Sequence, residues 1–99
     1  MEINKIVTDG TVTLTIKGRI TAVEAGDFST KVNEALSESS ILRIDFKGIS
    51  YIASAGLRVL VSTQKKITAA KGKLTLANVN EDVMEVFEVT GLDDILQFE

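Results

Sequence analysis

Residues Thr11 to Lys17, TVTLTIK, alternate strictly, with Val12, Leu14 and Ile16 on one face and threonines on the other. A period of two is that of a strand with one buried face. EINKIV before it reads as a weaker strand, and Asp9-Gly10 between the two is a hairpin signal. After Gly18 the period changes. Thr21 with Glu24 three residues later has the capping-box pattern. Ala25, Phe28, Val32, Ala35 and Leu36 then form an amphipathic helical stripe, which the polar run SESS ends. ILRIDF, Ile41 to Phe46, reads as a buried strand. The stretch Tyr51 to Ala70 holds a second helix, starting at about Ser54 and ending before Gly72. At 100° per residue Leu57, Leu60, Val61, Gln64, Ile67 and Thr68 share one side of it, and Val59 points nearly opposite, beside Lys66. KLTLAN is a strand. Asn80 suits an N-cap, and Glu81 and Asp82 suit the positive end of the helix dipole. Val83, Val86, Phe87 and Thr90 make that helix's stripe. Gly91 fits its stop, with Leu92 folding back on Phe87 in a Schellman arrangement. DDILQF is expected to form a short last strand.

The predicted order is therefore β-β-α-β-α-β-α-β. An N-terminal hairpin feeding βαβ units gives an α/β domain with a mostly parallel central sheet, right-handed crossovers and three helices. Ninety-nine residues suit one domain, residues 1–99, with one core. Apolar residues make up 44% of the chain and charged residues 25%, ordinary values for a soluble globular domain.

Composition then removes several kinds of chemistry. There is no Cys, hence no disulfide, thiol nucleophile or thiolate metal site. There is no His, the commonest general base and metal ligand. A net charge of −3 argues against nucleic acid as a partner. No basic-then-apolar leader opens the chain and no apolar run approaches 18 residues, so a cytoplasmic protein without a membrane span is expected.

No enzyme constellation is present, and no cofactor or metal is expected. A serine nucleophile would need a lysine base, yet Lys65 and Lys66 lie about three turns along the helix from Ser54. The acid pairs Glu81/Asp82 and Asp93/Asp94 read as first-turn helix acids and a solvated loop. Neither GxxxxGK[ST] nor GxGxxG occurs. Ser54 stands apart. It is either the N-cap of its helix, accepting from the N–H of Leu57, or a hydroxyl left bare for something to approach. Gly56 in the first turn costs a helix about 1 kcal/mol against Ala. Together with Ala53 and Ala55 it makes ASAG a flat helix start, which would suit an anion or a partner's backbone.

The stretch ISYIASAGLRVL, with the strand ending in KGRIT, the strand ILRIDFKGISYI and the closing VNEDVMEVFEVTGLDDIL, resembles the STAS domain of bacterial anti-sigma factor antagonists over essentially the whole chain. The resemblance implies a phospho-switch. The matching serine, Ser54, would be phosphorylated by a partner that is both an anti-sigma factor and a serine kinase. The unmodified antagonist would bind that partner and free a sigma factor, the phosphorylated one would let go, and a phosphatase would reset it. The partner-binding surface would comprise Arg19, Thr21, Ala53, Ser54, Ala55, Gly56, Leu57, Arg58 and Val59. The domain would be a substrate and a binding module, not an enzyme. Any ATP would belong to the kinase. A phosphoserine brings about −1.5 to −2 charges, enough to disrupt a close interface.

The sequence departs from the family pattern at two places. Ala53 stands where an acid or serine usually precedes the phosphorylated serine, and Thr21 stands where an Asp usually turns into the first helix, with Arg19 two residues earlier. Two other readings therefore stay open: a STAS interaction or scaffold module that is not phosphorylated, and a small-ligand or nucleotide-binding domain with ASAG as its anion site. No large apolar surface is evident, so a monomer is expected.

Overall fold

The computed structural model describes residues Met1–Glu99. Two strands, β1 (Glu2–Thr8) and β2 (Thr11–Ile20), pair antiparallel across Asp9-Gly10. Asp9 and Gly10 both adopt positive φ, 50° and 82°. That is the backbone a two-residue hairpin turn needs to match the twist of its strands. Helix α1 (Ala25–Glu38) leads to β3 (Ile41–Ile52), α2 (Ser54–Ala69) to β4 (Lys73–Ala77), and α3 (Glu81–Thr90) follows. The sheet order is β1-β2-β3-β4, with β2, β3 and β4 parallel. The α/β class, the hairpin and the three helices are as expected from the hydrophobic pattern.

The alternation in β2 is observed directly. Val12, Leu14 and Ile16 are fully buried while Thr11, Thr13 and Thr15 are half-buried on the other face. Leu42, Ile44, Phe46, Leu74 and Leu76 complete the buried sheet face, and Phe28, Val32 and Ala35 of α1 join them in one core. Asn80 caps α3: its Oδ1 accepts the N–H of Val83 at 2.9 Å and its amide donates to the Ile49 carbonyl at 2.8 Å. Gly91, at φ 77°, ends α3, and Leu92 and Phe87 lie in the same core.

Four expectations need correction. First, β3 runs to Ile52, not Phe46. Its pairing with β2 shifts register twice, between Thr15 and Lys17 and between Gly18 and Arg19. Each shift puts an extra residue into β3, which breaks the period-two pattern a sequence reading relies on. Second, DDILQF is not a strand. Leu92–Asp94 form a 3-10 turn, and the N–H groups of Ile95 and Leu96 both bond back to the Leu92 carbonyl. Only Phe98 reaches the sheet, in a single bridge to Leu76. Third, Val59 does not point outward but packs on the core, and Gly56 and Thr63 are buried. The buried arc of α2 is turned toward α1, leaving Thr68 exposed and Val61 and Gln64 half-buried. Thr63 is tolerated there because its hydroxyl donates to the Val59 carbonyl at 2.7 Å. Fourth, the Thr21/Glu24 capping box closes by halves. The Glu24 carboxylate accepts the N–H and the hydroxyl of Thr21, but the Thr21 hydroxyl accepts from Val23, and the regular helix begins only at Ala25.

No helix is long and apolar enough to cross a membrane.

Candidate functional site

The two bulges of β3 bring the end of that strand level with the end of β2. Arg19 pairs with Tyr51 and Ile20 with Ile52. The next residue, Ala53, donates its N–H to the Ile20 carbonyl at 2.8 Å, which ties the start of α2 to β2. Ala53, not Ser54, is the N-cap. Its φ and ψ are −88° and 169°, and its carbonyl accepts from Gly56 at 2.9 Å and Leu57 at 3.1 Å. The expected bond from the Leu57 N–H to the Ser54 hydroxyl is absent, because that N–H is taken by the backbone. Ser54 is the first helical residue, exposed, and its hydroxyl has no hydrogen-bond partner in the chain. An exposed hydroxyl without an internal partner is free to be approached.

Gly56 has a different explanation from the one suggested by the sequence. It is buried, and a Cβ at this position would come within 2.8 Å of Ile52 Cγ1 and 2.9 Å of Ile20 Cγ2. The absent side chain lets α2 lie directly on the ends of β2 and β3. Gly56 therefore supports the site from below and offers nothing to a partner. Leu57 is also buried, and Val59 faces inward. Ala53 and Ala55 are half-buried. Of the residues that sequence analysis placed on the partner surface, Arg19, Ser54 and Arg58 are the exposed ones.

Arg19 lies over the Tyr51 ring at 4.5 Å from its centroid, a cation–π contact on the β2/β3 side of Ser54. Thr21, next along, is occupied by Glu24. The Thr21 hydrogen bond holds the Glu24 carboxyl below the usual carboxylate range, so a negative charge sits against Thr21 even though residue 21 is not acidic.

On the other side of Ser54 a groove of about 410 Å³ runs along α2. Ser54, Leu57, Arg58, Val61, Ser62 and Lys65 form one wall, and Thr90 and Leu92 form the other. The groove contains two cations and no acid. Neither Arg58 nor Lys65 takes part in any of the three ion pairs of the molecule, Lys5–Glu38, Lys31–Glu34 and Arg43–Glu99. Tyr51, Val61, Ser62, Lys65, Thr90 and Leu92 were not singled out for this surface by the sequence. Tyr51 offered a signal, an aromatic directly before the helix start. Thr90 and Leu92 offered none, because only the fold brings the end of α3 to α2.

The site carries a helix start whose dipole favours negative charge, the free hydroxyl of Ser54 in that first turn, a second exposed hydroxyl at Ser62 two turns on, and unpaired cations. No group of three or more acids converges to hold a metal ion. This arrangement suits binding, and suits acceptance of a group delivered by another protein.

Known proteins share both the sequence and the fold. The family model of the STAS domain matches residues 2–99. The chain is 36% identical over 81 residues to the anti-sigma-B factor antagonist of Bacillus subtilis, a match spanning 82% of this chain and 74% of that protein. A solved structure of a Thermotoga maritima protein, regarded as an anti-sigma factor antagonist, superposes with a TM-score of 0.91 at 23% identity, covering 97% of this chain and 84% of that one. The Bacillus cell fate determinant SpoIIAA, solved in its phosphorylated form, gives a TM-score of 0.76 at 19% identity, covering 99% and 91%. The superposition of the whole fold and the match along nearly the whole sequence agree: the chain belongs to the STAS domain family, among whose members its relatives are anti-sigma factor antagonists.

Proposed function

We propose that this protein is an anti-sigma factor antagonist that works as a phospho-switch at Ser54, as a single cytoplasmic STAS domain acting as a monomer. Unmodified, it binds an anti-sigma factor that is also a serine kinase, through the surface around the start of α2. It is that enzyme's substrate and performs no catalysis itself. The Ser54 hydroxyl oxygen attacks the γ-phosphorus of ATP held by the kinase. The new O–P bond forms as the bond from that phosphorus to the bridging oxygen of ADP breaks, and the hydroxyl proton passes to a base on the kinase. The phosphorylated antagonist lets go. A phosphatase then adds water across the Ser54 O–P bond, restoring the hydroxyl and releasing inorganic phosphate.

The observation that carries this reading is the state of the Ser54 hydroxyl: exposed, in the first turn of α2, and without any hydrogen bond to its own chain. The relationship to the Bacillus subtilis antagonist supports the antagonist role, and a protein of the same fold exists in a phosphorylated form. Glu24 held against Thr21 supports it too, since it supplies an acid beside the position where the family pattern has one.

The test is to mix the protein with a candidate anti-sigma kinase and Mg-ATP. A gain of one phosphate, abolished in Ser54→Ala, is expected, with Ser54→Ala staying in complex when ATP is present. No mass gain and no complex with any such kinase would overturn the proposal. The replacement of an acid by Ala53 favours a second reading, an interaction module that is never phosphorylated. It predicts that Ser54→Ala keeps full regulation in cells.

A further inference from the structure

Arg58 lies four residues after Ser54 on α2, a spacing that places two side chains on one helix face. Both line the same groove. A helical side chain leans toward the N-terminus, so Arg58 covers the turn that contains Ser54. The two Cα atoms are about 6 Å apart along the helix axis, well within reach of a guanidinium. Arg58 is exposed and has no ion-pair partner.

The rest of the groove leaves this cation available. The facing residues Thr90 and Leu92 carry no charge, and no acid lines the wall. Arg19, on the far side of the helix start, is stacked on Tyr51. Lys65 lies eleven residues from Ser54, about 16 Å along the axis, and can act on a group at Ser54 only through its field. In a chain with more acids than bases, the groove that contains the free hydroxyl is lined by positive charge alone.

We propose that a phosphate on Ser54 is held by Arg58, which turns the phosphoryl group back onto its own helix and into the α2 groove. This rests on the reading of Ser54 as the phospho-acceptor. The guanidinium fork can give two parallel N–H···O bonds to one phosphate. Both side chains are exposed, so the pair is a surface contact that water and salt screen. Phosphorylation then changes the surface twice: it adds an anion and it neutralises Arg58, the groove cation nearest Ser54.

The experiment needs no kinase. Phosphoserine is placed at position 54 during translation, and the second ionisation of the phosphate is followed by phosphorus NMR against pH. Arg58→Gln is compared with Lys65→Gln, which makes the same change in net charge farther down the helix. Both side chains are exposed, so neither variant threatens the core. The phosphate of the otherwise unaltered protein should titrate about half a pH unit below that of Arg58→Gln. Lys65→Gln should move it by less than half as much, and 1 M salt should shrink both differences. Equal titration of the two variants overturns the proposal while leaving the switch at Ser54 intact. Failure of the kinase assay would instead remove the switch, whatever the titration shows.

Discussion

Gly56→Ala tests whether the start of α2 is held in place by close packing. In a helix, replacing Gly by Ala is worth about 0.8–1.0 kcal/mol in favour of the folded state. Here the new methyl would sit 2.8 Å from Ile52 Cγ1, 2.9 Å from Ile20 Cγ2 and 3.2 Å from Ile52 Cδ1. Both isoleucines are buried, and a β-branched chain has little freedom about χ1 to move aside. Forcing a methylene into such a core costs typically about 1–3 kcal/mol, and two contacts under 3.0 Å place this site toward the upper end. The expected net loss is about 1–2 kcal/mol, which lowers the Tm of a domain this size by about 5–10 °C. Urea unfolding followed by circular dichroism measures it, since the chain has no Trp. Gly26→Ala is the control: Gly26 lies in the first turn of α1 and a Cβ there meets nothing within 4 Å. It should gain about 0.5–1 kcal/mol. If Gly56→Ala is as stable as the parent, or shifts with the same sign as Gly26→Ala, the packing account of Gly56 is wrong.

Ser54→Ala should change stability by less than about 0.5 kcal/mol in the same unfolding assay, because the hydroxyl has no partner to lose; a loss near 1 kcal/mol would restore it as a cap. Asn80→Ala loses both the cap of α3 and the bond to the Ile49 carbonyl, an expected cost of about 2 kcal/mol, whereas Asn80→Asp keeps the cap and should recover only part of it. Burial pushes the Asp45 carboxyl up, but hydrogen bonds from Asn78 at 3.0 Å and the Lys47 N–H at 2.9 Å, with the charges of Arg43 and Lys47, outweigh it and hold it below its ordinary value. The Arg43 hydrogen bond does the same to Glu99. A depressed carboxyl stabilises the fold above its unfolded pKa and loses that contribution as pH falls through the folded one. With no His, Tm should stay flat from pH 8 to about 6 and fall on the acid side of about 4. Asp45→Asn should flatten that acid limb, and an unchanged limb would refute the assignment.

The parts of the fold that were legible are those fixed by neighbours in sequence. The TVTLTIK alternation, the Asp9-Gly10 turn and the Asn80 cap each depend on a few adjacent residues, and each stands where the pattern puts it. What was not legible depends on contacts far along the chain. The bulges in β3 exist only in its pairing with β2, so the period of FKGISYI does not carry the strand to Ile52, and only the family resemblance extends it there. The buried arc of α2 was misjudged because α1 packs beside it as well as the sheet beneath. Val59 is drawn inward, and Thr63, polar but satisfied by the Val59 carbonyl, takes a core position. The groove follows the same rule. Its α2 wall could be drawn from the helical period, but its other wall, Thr90 and Leu92, arrives only after Gly91 has turned the chain.

The bareness of ASAG around Ser54 comes from two unrelated causes. Gly56 is small because Ile20 and Ile52 lie under it, a demand of packing that would exist with no partner at all. Ser54 needs no such explanation, because the Ala53 carbonyl already accepts the N–H groups that a capping hydroxyl would have served. A structural role for the serine is therefore removed by the backbone itself, and the hydroxyl is left to whatever approaches from outside. The same packing makes that approach well defined. The start of α2 is pinned to β2 through the bond from Ala53 to Ile20 and has no side chain at 56 to hold it off the sheet. Ser54 thus follows directly on a residue hydrogen-bonded to β2, one helical turn before Arg58. Under the proposed switch a kinase would meet the hydroxyl at the end of a helix, and a phosphate there would have Arg58 one turn away.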